Sequence, residues 1–185
     1  ELVYIHDVGL EGYKSEVEDV LGPKGMLAAM VEAKKQGIIG HIGCSAHFFP
    51  SRFLPFLERD EIEVAMPAVN FVVKHSYNFE DRVWAPAKKK KLGLIAMKIL
   101  GGPADWTKGT ARLTGQDYES AMRYAIELPG ISSLNIGVRN LAELDQAVET
   151  VLNYKPFTDQ ERKELDAKGK EMAKAWGPVY GEPTS

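Results

Sequence analysis

The sequence contains a single cysteine, Cys44, among 185 residues. One cysteine excludes an intramolecular disulfide and any zinc or iron–sulfur site built on several thiolates. It is typical of a reducing compartment, so we expect a cytoplasmic location. No apolar run exceeds six residues, whereas a membrane-spanning helix needs roughly 20. We therefore expect no membrane segment. Cys44 lies in a predicted strand on the side that faces the helices, so we expect its thiol to be buried and unreactive.

An excess of positive charge is also missing. The chain has 23 Lys and Arg against 26 Asp and Glu, a formal net charge of −3, which argues against nucleic acid as a partner. The four histidines have no spacing to carboxylates that would indicate a metal site. No G-x-G-x-x-G follows a strand-like segment, and no P-loop motif occurs, so the common nucleotide-binding sheets lack their fingerprints.

What is present is an alternation of short apolar segments with amphipathic ones. It predicts one α/β domain with a parallel sheet and crossover helices. The pattern alone leaves open a doubly wound sheet or part of an eight-stranded barrel, which typically needs about 250 residues. The predicted strands are 2–6, 38–45, 62–71, 94–100 and 131–138. The predicted helices are 23–36 with Pro23 in its first turn, 53–60, 79–91, 117–128, 141–152 and, after a capping box at Thr158–Glu161, 159–176.

Three segments carry a family resemblance. Tyr4–Asp7 reads YIHD, Glu32–His47 reads EAKKQGIIGHIGCSAH, and Leu128–Leu144 reads LPGISSLNIGVRNLAEL. In this order they resemble the histidine strand, a central strand and the cofactor-binding end of aldo-keto reductases. The resemblance implies a TIM-type (β/α)8 barrel, of which residues 1–185 form the C-terminal portion, five βα units and a C-terminal helix. Because Glu1 runs directly into a strand, we expect the N-terminal βα units to be absent from the chain.

The resemblance further implies NAD(P)H-dependent reduction of an aldehyde or ketone. In that chemistry a tyrosine is the general acid, a lysine and an aspartate adjust it, and a histidine orients the carbonyl oxygen. Only the histidine, His6, is carried here; the other three are expected in the missing portion, so the isolated chain is predicted to be inactive. By alternation His6 points into the barrel at its C-terminal rim. The alternative is a histidine satisfied by nearby backbone, and Asp7 is expected to anchor the following loop.

Six residues are candidates for the nicotinamide and pyrophosphate end of the cofactor. Ser45 matches the serine that binds the carboxamide in the family, whereas Ala46 replaces a frequent asparagine. The others are Met66, Met97, Lys98, Leu100 and Gly101. The two methionines are equally compatible with packing in the hydrophobic core. Lys98 is also compatible with an ion pair to a carboxylate of the barrel. A loop containing Trp106 and Lys108 corresponds to the family's pyrophosphate-covering segment.

Four residues are candidates for the adenosine end. Gly137, Val138 and Arg139 open a helix, whose N–H groups suit a phosphate, and Arg139 has the fork that binds a 2′-phosphate. Glu143 favours a ribose 2′-hydroxyl instead, unless it is simply a surface helix residue. The cofactor is therefore expected to be NADP or NAD, with NADP favoured of the two.

The expected partners are a small carbonyl substrate and either a companion chain or a second copy that completes the barrel. We expect the companion chain or second copy because a partial barrel leaves strand edges unpaired. One alternative function is a dinucleotide-binding module or regulatory relative without turnover, indicated by the missing tyrosine and lysine. Another is an open five-stranded sheet of unrelated function.

Overall fold

The computed structural model describes residues 1–8, 17–47, 49–102 and 111–180. In these ranges five short strands alternate with helices. The strands are β1 (Leu2–Ile5), β2 (His41–Ala46), β3 (Val64–Pro67), β4 (Gly93–Met97) and β5 (Ser133–Asn135). The helices are α1 (Val17–Leu21), α2 (Met26–Lys35), α3 (Pro50–Leu57), α4 (Lys74–Tyr77), a π-helix (Glu80–Trp84), α5 (Ala85–Lys89), α6 (Gln116–Ile126), α7 (Leu141–Leu152) and α8 (Asp159–Trp176).

The five strands form one parallel sheet in the order β1-β2-β3-β4-β5. Each strand pairs with the next strand in the sequence, and a helical crossover connects the two. This is the topology of a (β/α) barrel. The chain therefore forms a partial (β/α) barrel, and the predicted fold class is confirmed. Because all strands run the same way, their carboxyl ends meet at one edge. Ser45 lies opposite Met66 there, and Met97 lies opposite Asn135.

The core lies between the sheet and the helices. Its largest fully buried side chains are Trp84, Tyr77, Tyr118, Tyr180, Phe53 and Phe56. The indole nitrogen of Trp84 donates to the carbonyl oxygen of Pro129 at 2.9 Å, so even this bulky core residue satisfies its polar atom. Cys44 is fully buried, and burial raises the pKa of its thiol. The expectation of a buried, unreactive cysteine is thereby supported.

The predicted strands are longer than the observed ones. The segment predicted as a strand over 62–71 leaves the sheet after Pro67, because Asn70 organises a turn: its Oδ1 accepts from the backbone N–H groups of Val72 (3.0 Å) and Val73 (2.8 Å). The hydrogen bonds from these N–H groups to the Asn70 side chain replace those that they would make to a neighbouring strand. The strand predicted over 131–138 pairs only at Ser133–Asn135.

Two helix predictions need correction. Residues 79–91 form a π-helix followed by α5; Pro86 lacks an N–H and its ring crowds the carbonyl four residues earlier, which widens the preceding turn. Helix α2 begins at Met26 after Gly25, so Pro23 is not in its first turn. Neither α1 nor α4 was predicted. By contrast, α7 matches its predicted bounds, and α8 begins with the predicted capping box at Thr158 and Glu161.

Candidate functional site

A cavity of about 400 Å³ opens at the carboxyl ends of the strands, the edge where barrel proteins carry their sites. It brings together most of the residues that the sequence singled out. Those lining it are His6, Ser45, Met66, Met97, Lys98, Leu100, Gly101 and Gly137. These residues come from the ends of all five strands, so the site depends on the register of the sheet.

Ser45 is fully buried at the end of β2 and ties the loop after β1 to it. Its hydroxyl oxygen accepts from the backbone N–H of Asp7 at 3.2 Å, and its carbonyl oxygen accepts from the N–H of Val8 at 2.8 Å. The hydroxyl proton is not used by either contact. Ser45 therefore has a donor with which to bind an acceptor in the cavity.

Asp7 anchors the rim, as the sequence predicts. Its Oδ1 accepts from His47 Nδ1 at 2.8 Å and from the backbone N–H of His47 at 3.3 Å. Two contacts, one through the main chain and one through the ring, therefore join the loop after β1 to the end of β2. The His47 ring meets the His6 ring edge-on, with centroids 6.2 Å apart.

Lys98 follows β4 with a φ of 55°, and Asp7 follows β1 with the same value. Residues other than glycine rarely adopt this left-handed conformation, and such strain clusters at functional sites. The carbonyl oxygen of Lys98 accepts from Asn70 Nδ2 at 2.9 Å, which helps to hold the turn. Burial lowers the pKa of the Lys98 ammonium group, while the charge of Asp7 acts in the opposite direction.

Met66 and Met97 form an apolar wall between β3, β4 and β5. Met97 is buried, and Asn135 Nδ2 lies 3.4 Å from Met66 Sδ. The polarizable thioether groups of such a wall can pack against a ring. Beside it, Gly101 has a φ of 76°, and a Cβ there would lie 2.4 Å from the carbonyl oxygen of Ala111. Only glycine allows the chain to approach so closely.

The segment after residue 110 returns to the cavity beside Leu100. Leu113 N–H donates to Leu100 O at 2.9 Å, and Gly102 N–H donates to Ala111 O at 2.6 Å. This pairing brings Arg112 into the cavity wall. Trp106 and Lys108, expected to cover a pyrophosphate, lie outside the described residues.

An ionic cluster adjoins the cavity at the start of α7. Arg112 Nη2 donates to Glu143 Oε2 at 2.9 Å and to Gly137 O at 3.3 Å. Arg139 donates to the same carboxylate from its backbone N–H, Nε and Nη2 at 2.9, 2.9 and 2.8 Å. Hydrogen bonds from Arg139, with the charge of Arg112, hold the pKa of Glu143 below its usual range. The Arg139 fork is thus already filled by a carboxylate.

Three predicted residues therefore stand apart from the cavity wall. Val138 is exposed, and Arg139 and Glu143 reach the wall only through Arg112. The N–H of Glu143 is bound by the side chain of the N-cap residue Asn140 at 3.0 Å, so this donor is satisfied within the helix start.

Sequence reasoning missed five wall residues: His47, Gly102, Arg112, Asn135 and Ile136. His47 had a signal, because it continues the period-two alternation of Gly43 and Ser45 on the inner face of β2. Arg112 had none: only the backbone pairing of Gly101 with Arg112 brings it to the site.

Within residues 1–8, 17–47, 49–102 and 111–180, no group of three or more metal-ligating side chains occurs. In the same ranges, no helix has the length and apolar character needed to cross a membrane.

Comparison with known proteins was made through both sequence and fold. No protein-family model and no curated protein matches the sequence. Solved structures do match the fold. An aldo-keto reductase from Bacillus halodurans in its holo form has a TM-score of 0.63 at 15% identity, over 90% of this chain and 60% of that one.

Two other solved structures agree with it. The glycerol dehydrogenase from Gluconobacter oxydans has a TM-score of 0.62 at 16% identity, over 100% of this chain and 62% of that one. The aldose reductase from Giardia lamblia has a TM-score of 0.60 at 14% identity, over 84% of this chain and 55% of that one. The resemblance read from the motifs is confirmed at the level of the fold, and the chain spans about 60% of the length of these structures.

Proposed function

Because the chain has the fold of these aldo-keto reductases, we propose that it contributes the cofactor-binding side and the carbonyl-orienting histidine of an NAD(P)-dependent carbonyl reductase. The observation that carries the proposal is the single cavity in which His6, Ser45, Met97 and Lys98 meet at the carboxyl ends of the strands. The motifs that suggested these residues are far apart in sequence, yet their side chains share one wall. A fold alone does not give an activity; the convergence of these particular side chains is the stronger support.

The donor set fits a dinucleotide. The Ser45 hydroxyl can bind a carboxamide, and the Met66 and Met97 wall can receive a flat ring. Lys98 and Arg112 supply positive charge for phosphates. A reduced nicotinamide bound here would supply hydride. His6 would orient the carbonyl oxygen of a small aldehyde or ketone at the end of β1, next to Ser45 and His47.

We propose NADP as the favoured cofactor, with NAD as the alternative. The cluster of Arg112, Arg139 and Glu143 carries two positive charges and one negative charge, so it remains net positive beside the start of α7. A net positive site suits the additional phosphate of NADP. The Glu143 carboxylate works against that phosphate, which is why NAD is retained.

Titration calorimetry of the chain with NADPH and, separately, with NADH tests this function. We expect both to bind, NADPH more tightly, and we expect Ser45→Ala and Lys98→Met to weaken binding by about tenfold each, as the loss of one hydrogen bond to a charged or polar ligand group does. His75→Gln, outside the cavity, is the matched control and should bind as the unaltered chain does. Failure of both nucleotides to bind would overturn the proposal.

A second candidate is a dinucleotide-binding module or regulatory relative without turnover. It is favoured by one observation: among the described residues, no tyrosine lines the cavity, so the family's usual proton donor is not supplied there. Nucleotide binding combined with no NADPH oxidation across a panel of aldehydes and ketones would favour this candidate over the reductase. Oxidation that depends on both the carbonyl and His6 would favour the reductase.

We also propose that a companion chain or a second copy pairs with the open edges of the sheet. In the part of the chain that the structure describes, β1 pairs only with β2 and β5 only with β4, and unpaired parallel edges are uncommon in stable proteins. Analytical ultracentrifugation, alone and with candidate chains, tests it; a species that remains monomeric in every mixture would contradict it.

A further inference from the structure

We propose that a groove between α6, α8 and the turn after β3 binds a small aromatic carboxylate. The groove has a volume of about 590 Å³. It shares no lining residue with the cavity at the strand ends, so it does not depend on the proposed function. Its fixed shape, its aromatic floor and its charge carry the proposal.

Close packing fixes the shape of the groove. At Gly169 the backbone of α8 lies so near the turn after β3 that a Cβ would come within 2.1 Å of the carbonyl oxygen of Phe71. Lys74 Nζ in α4 donates to Asp166 Oδ1 in α8 at 3.1 Å, which joins the two helices. The walls come from α6, from α8 with Phe157 before it, and from the segment after β3. Strand pairing at the open edges β1 and β5 therefore does not involve the groove.

The floor of the groove is aromatic. The rings of Phe71 and Tyr124 meet edge-on, with centroids 6.4 Å apart, and Phe157 and Leu165 line the same groove. The Tyr124 hydroxyl donates to Glu80 Oε1 at 2.6 Å, so this ring is held at both of its ends. A flat aromatic ligand can pack edge-on or offset against such rings.

The wall carries more positive than negative charge. It has four basic residues and one acidic residue, in a chain whose formal net charge is −3: Lys74, Arg162, Lys163, Lys170 and Asp166. Arg162 is paired with Glu127 outside the groove. Within the described ranges, Lys163 and Lys170 form no ion pair.

The two lysines without an ion pair lie on one face of α8. Lys163 and Lys170 are seven residues apart, about 10 Å along the helix axis, and Ala167 lies between them on the same face. A four-carbon lysine side chain can cover half of that distance. Both ammonium groups can therefore reach a carboxylate that lies over Ala167.

Floor and charge together define the class of ligand. A carboxylate forms charge-assisted hydrogen bonds with lysine, and a lysine ammonium group is also attracted to the face of an aromatic ring. The Asp166 carboxylate opposes an anion, but Lys74 already binds it and His75 Nε2 lies 3.5 Å from the same oxygen. A neutral aromatic compound would leave the lysines unused, and a saturated carboxylate would leave the rings unused.

Calorimetric titration of the chain with 2-naphthoate tests the proposal. The reference ligands are 2-naphthamide, which has the same shape without the charge, and decahydro-2-naphthoate, which has the charge without the aromatic rings. We expect 2-naphthoate to bind with a Kd of about 0.1 to 1 mM, as suits a ligand of its size. We expect each reference ligand to bind at least about fivefold more weakly.

Variants on α8 locate the binding. Ala167→Trp fills the groove and should abolish binding, whereas Ala175→Trp, at an exposed position of α8 outside the groove, should bind as the unaltered chain does. Replacing both lysines, Lys163→Gln with Lys170→Gln, should weaken 2-naphthoate by about tenfold and leave 2-naphthamide unchanged. Lys174→Gln, outside the groove on the same helix, is the control for the lysine substitutions.

Four outcomes would overturn the proposal. They are no binding of 2-naphthoate at about 5 mM, binding that Ala167→Trp leaves intact, and equal binding of either reference ligand. The fourth is an unchanged affinity in the double lysine variant. If circular dichroism shows that Ala167→Trp does not fold, the double lysine variant decides, because both lysines are exposed and their replacement leaves the core intact.

Discussion

At the scale of single residues, the proposed nucleotide preference depends on how Glu143 is paired. It binds Arg139 through three donors and Arg112 through one. A 2′-phosphate approaching Arg139 would have to displace this carboxylate or accept its repulsion, whereas a ribose hydroxyl would not. The sequence left the nucleotide preference open because Arg139 favours a 2′-phosphate and Glu143 a 2′-hydroxyl.

We predict that Glu143→Gln raises the affinity for NADPH relative to NADH by about five- to tenfold, because one unit of negative charge is removed from a partly solvated site. Comparative calorimetric titration of the two nucleotides measures the ratio. Glu149→Gln, on the exposed side of the same helix, is the matched control for the amide substitution. An unchanged ratio in Glu143→Gln would mean that the cluster does not contact the adenosine end.

Glu80 lies outside the cavity, where the π-helix faces α6. Burial raises the pKa of its carboxyl to about 7, although a hydrogen bond from Tyr124, at 2.6 Å, opposes the rise. The folded chain therefore holds a proton on Glu80 that the unfolded chain releases near pH 4.5. The corresponding stability is fully present below about pH 4.5 and is lost as the pH rises to about 7.

We compare the free energy of unfolding of Glu80→Gln with that of the unaltered chain. Because only the unaltered chain loses stability as the pH rises, we predict that the difference, variant minus unaltered chain, increases by roughly 3 kcal/mol between pH 4.5 and pH 7 and is then constant. Urea unfolding at a series of pH values measures it, with Glu164→Gln on the exposed face of α8 as the control for the substitution itself. Tyr124→Phe removes the opposing hydrogen bond and should extend the window above pH 7. A difference that does not vary with pH would contradict this account.

At the scale of secondary-structure elements, α7 and α8 were predictable and the short strands were not. The capping box of α8 is written in four consecutive residues, and both of its hydrogen bonds form. The apolar stripe of α7 likewise repeats over its whole length. The end of β3 is decided instead by the turn at Asn70, whose side chain binds two N–H groups and the carbonyl of Lys98. Such a contact between separate loops leaves no periodic signal.

Helix α8 packs against the turn after β3 through a glycine. A Cβ at Gly169 would lie 2.1 Å from the carbonyl oxygen of Phe71, far inside normal contact distance. We predict that Gly169→Ala lowers the free energy of unfolding by about 1–3 kcal/mol through overpacking, opposite to the gain of about 1 kcal/mol that Gly→Ala usually gives in a helix.

Urea unfolding of Gly169→Ala measures this effect, with Lys170→Ala at the exposed neighbouring position as the control. Lys170→Ala should change stability only slightly, because its side chain faces solvent. A stabilised Gly169→Ala chain would show that α8 is not held against Phe71.

At the scale of the whole molecule, one face stays uncovered. Helix α7 exposes Leu141, Leu144, Val148, Val151 and Leu152, of which Leu141 and Leu152 are 76% and 78% exposed. These residues adjoin an apolar groove of about 490 Å³ between α6, β5 and α7, and β5 is an edge strand. Apolar surface of this kind, next to an open strand edge, favours association.

We predict concentration-dependent association of the chain, and we predict that Leu152→Lys weakens it by about tenfold or more, since burying a leucine contributes roughly 1.5–3 kcal/mol. Sedimentation velocity over a range of concentrations measures the change. Ile38→Lys, at a residue that is 69% exposed but lies away from α7, is the matched control and should associate as before. A chain that is monomeric at every concentration would contradict the prediction.

The sequence by itself determined the order of the five strands, the bounds of α7 and the capping of α8, and its family resemblance pointed to most of the cavity-lining residues. These follow from local patterns: side-chain period, capping residues and short motifs. Only the tertiary structure decided that Asp7 holds His47, 40 residues away, and that Arg112 holds Glu143, 31 residues away. Such pairs form only when strand register and the strand ends bring distant residues together. A local sequence pattern does not specify which residues will meet across the sheet.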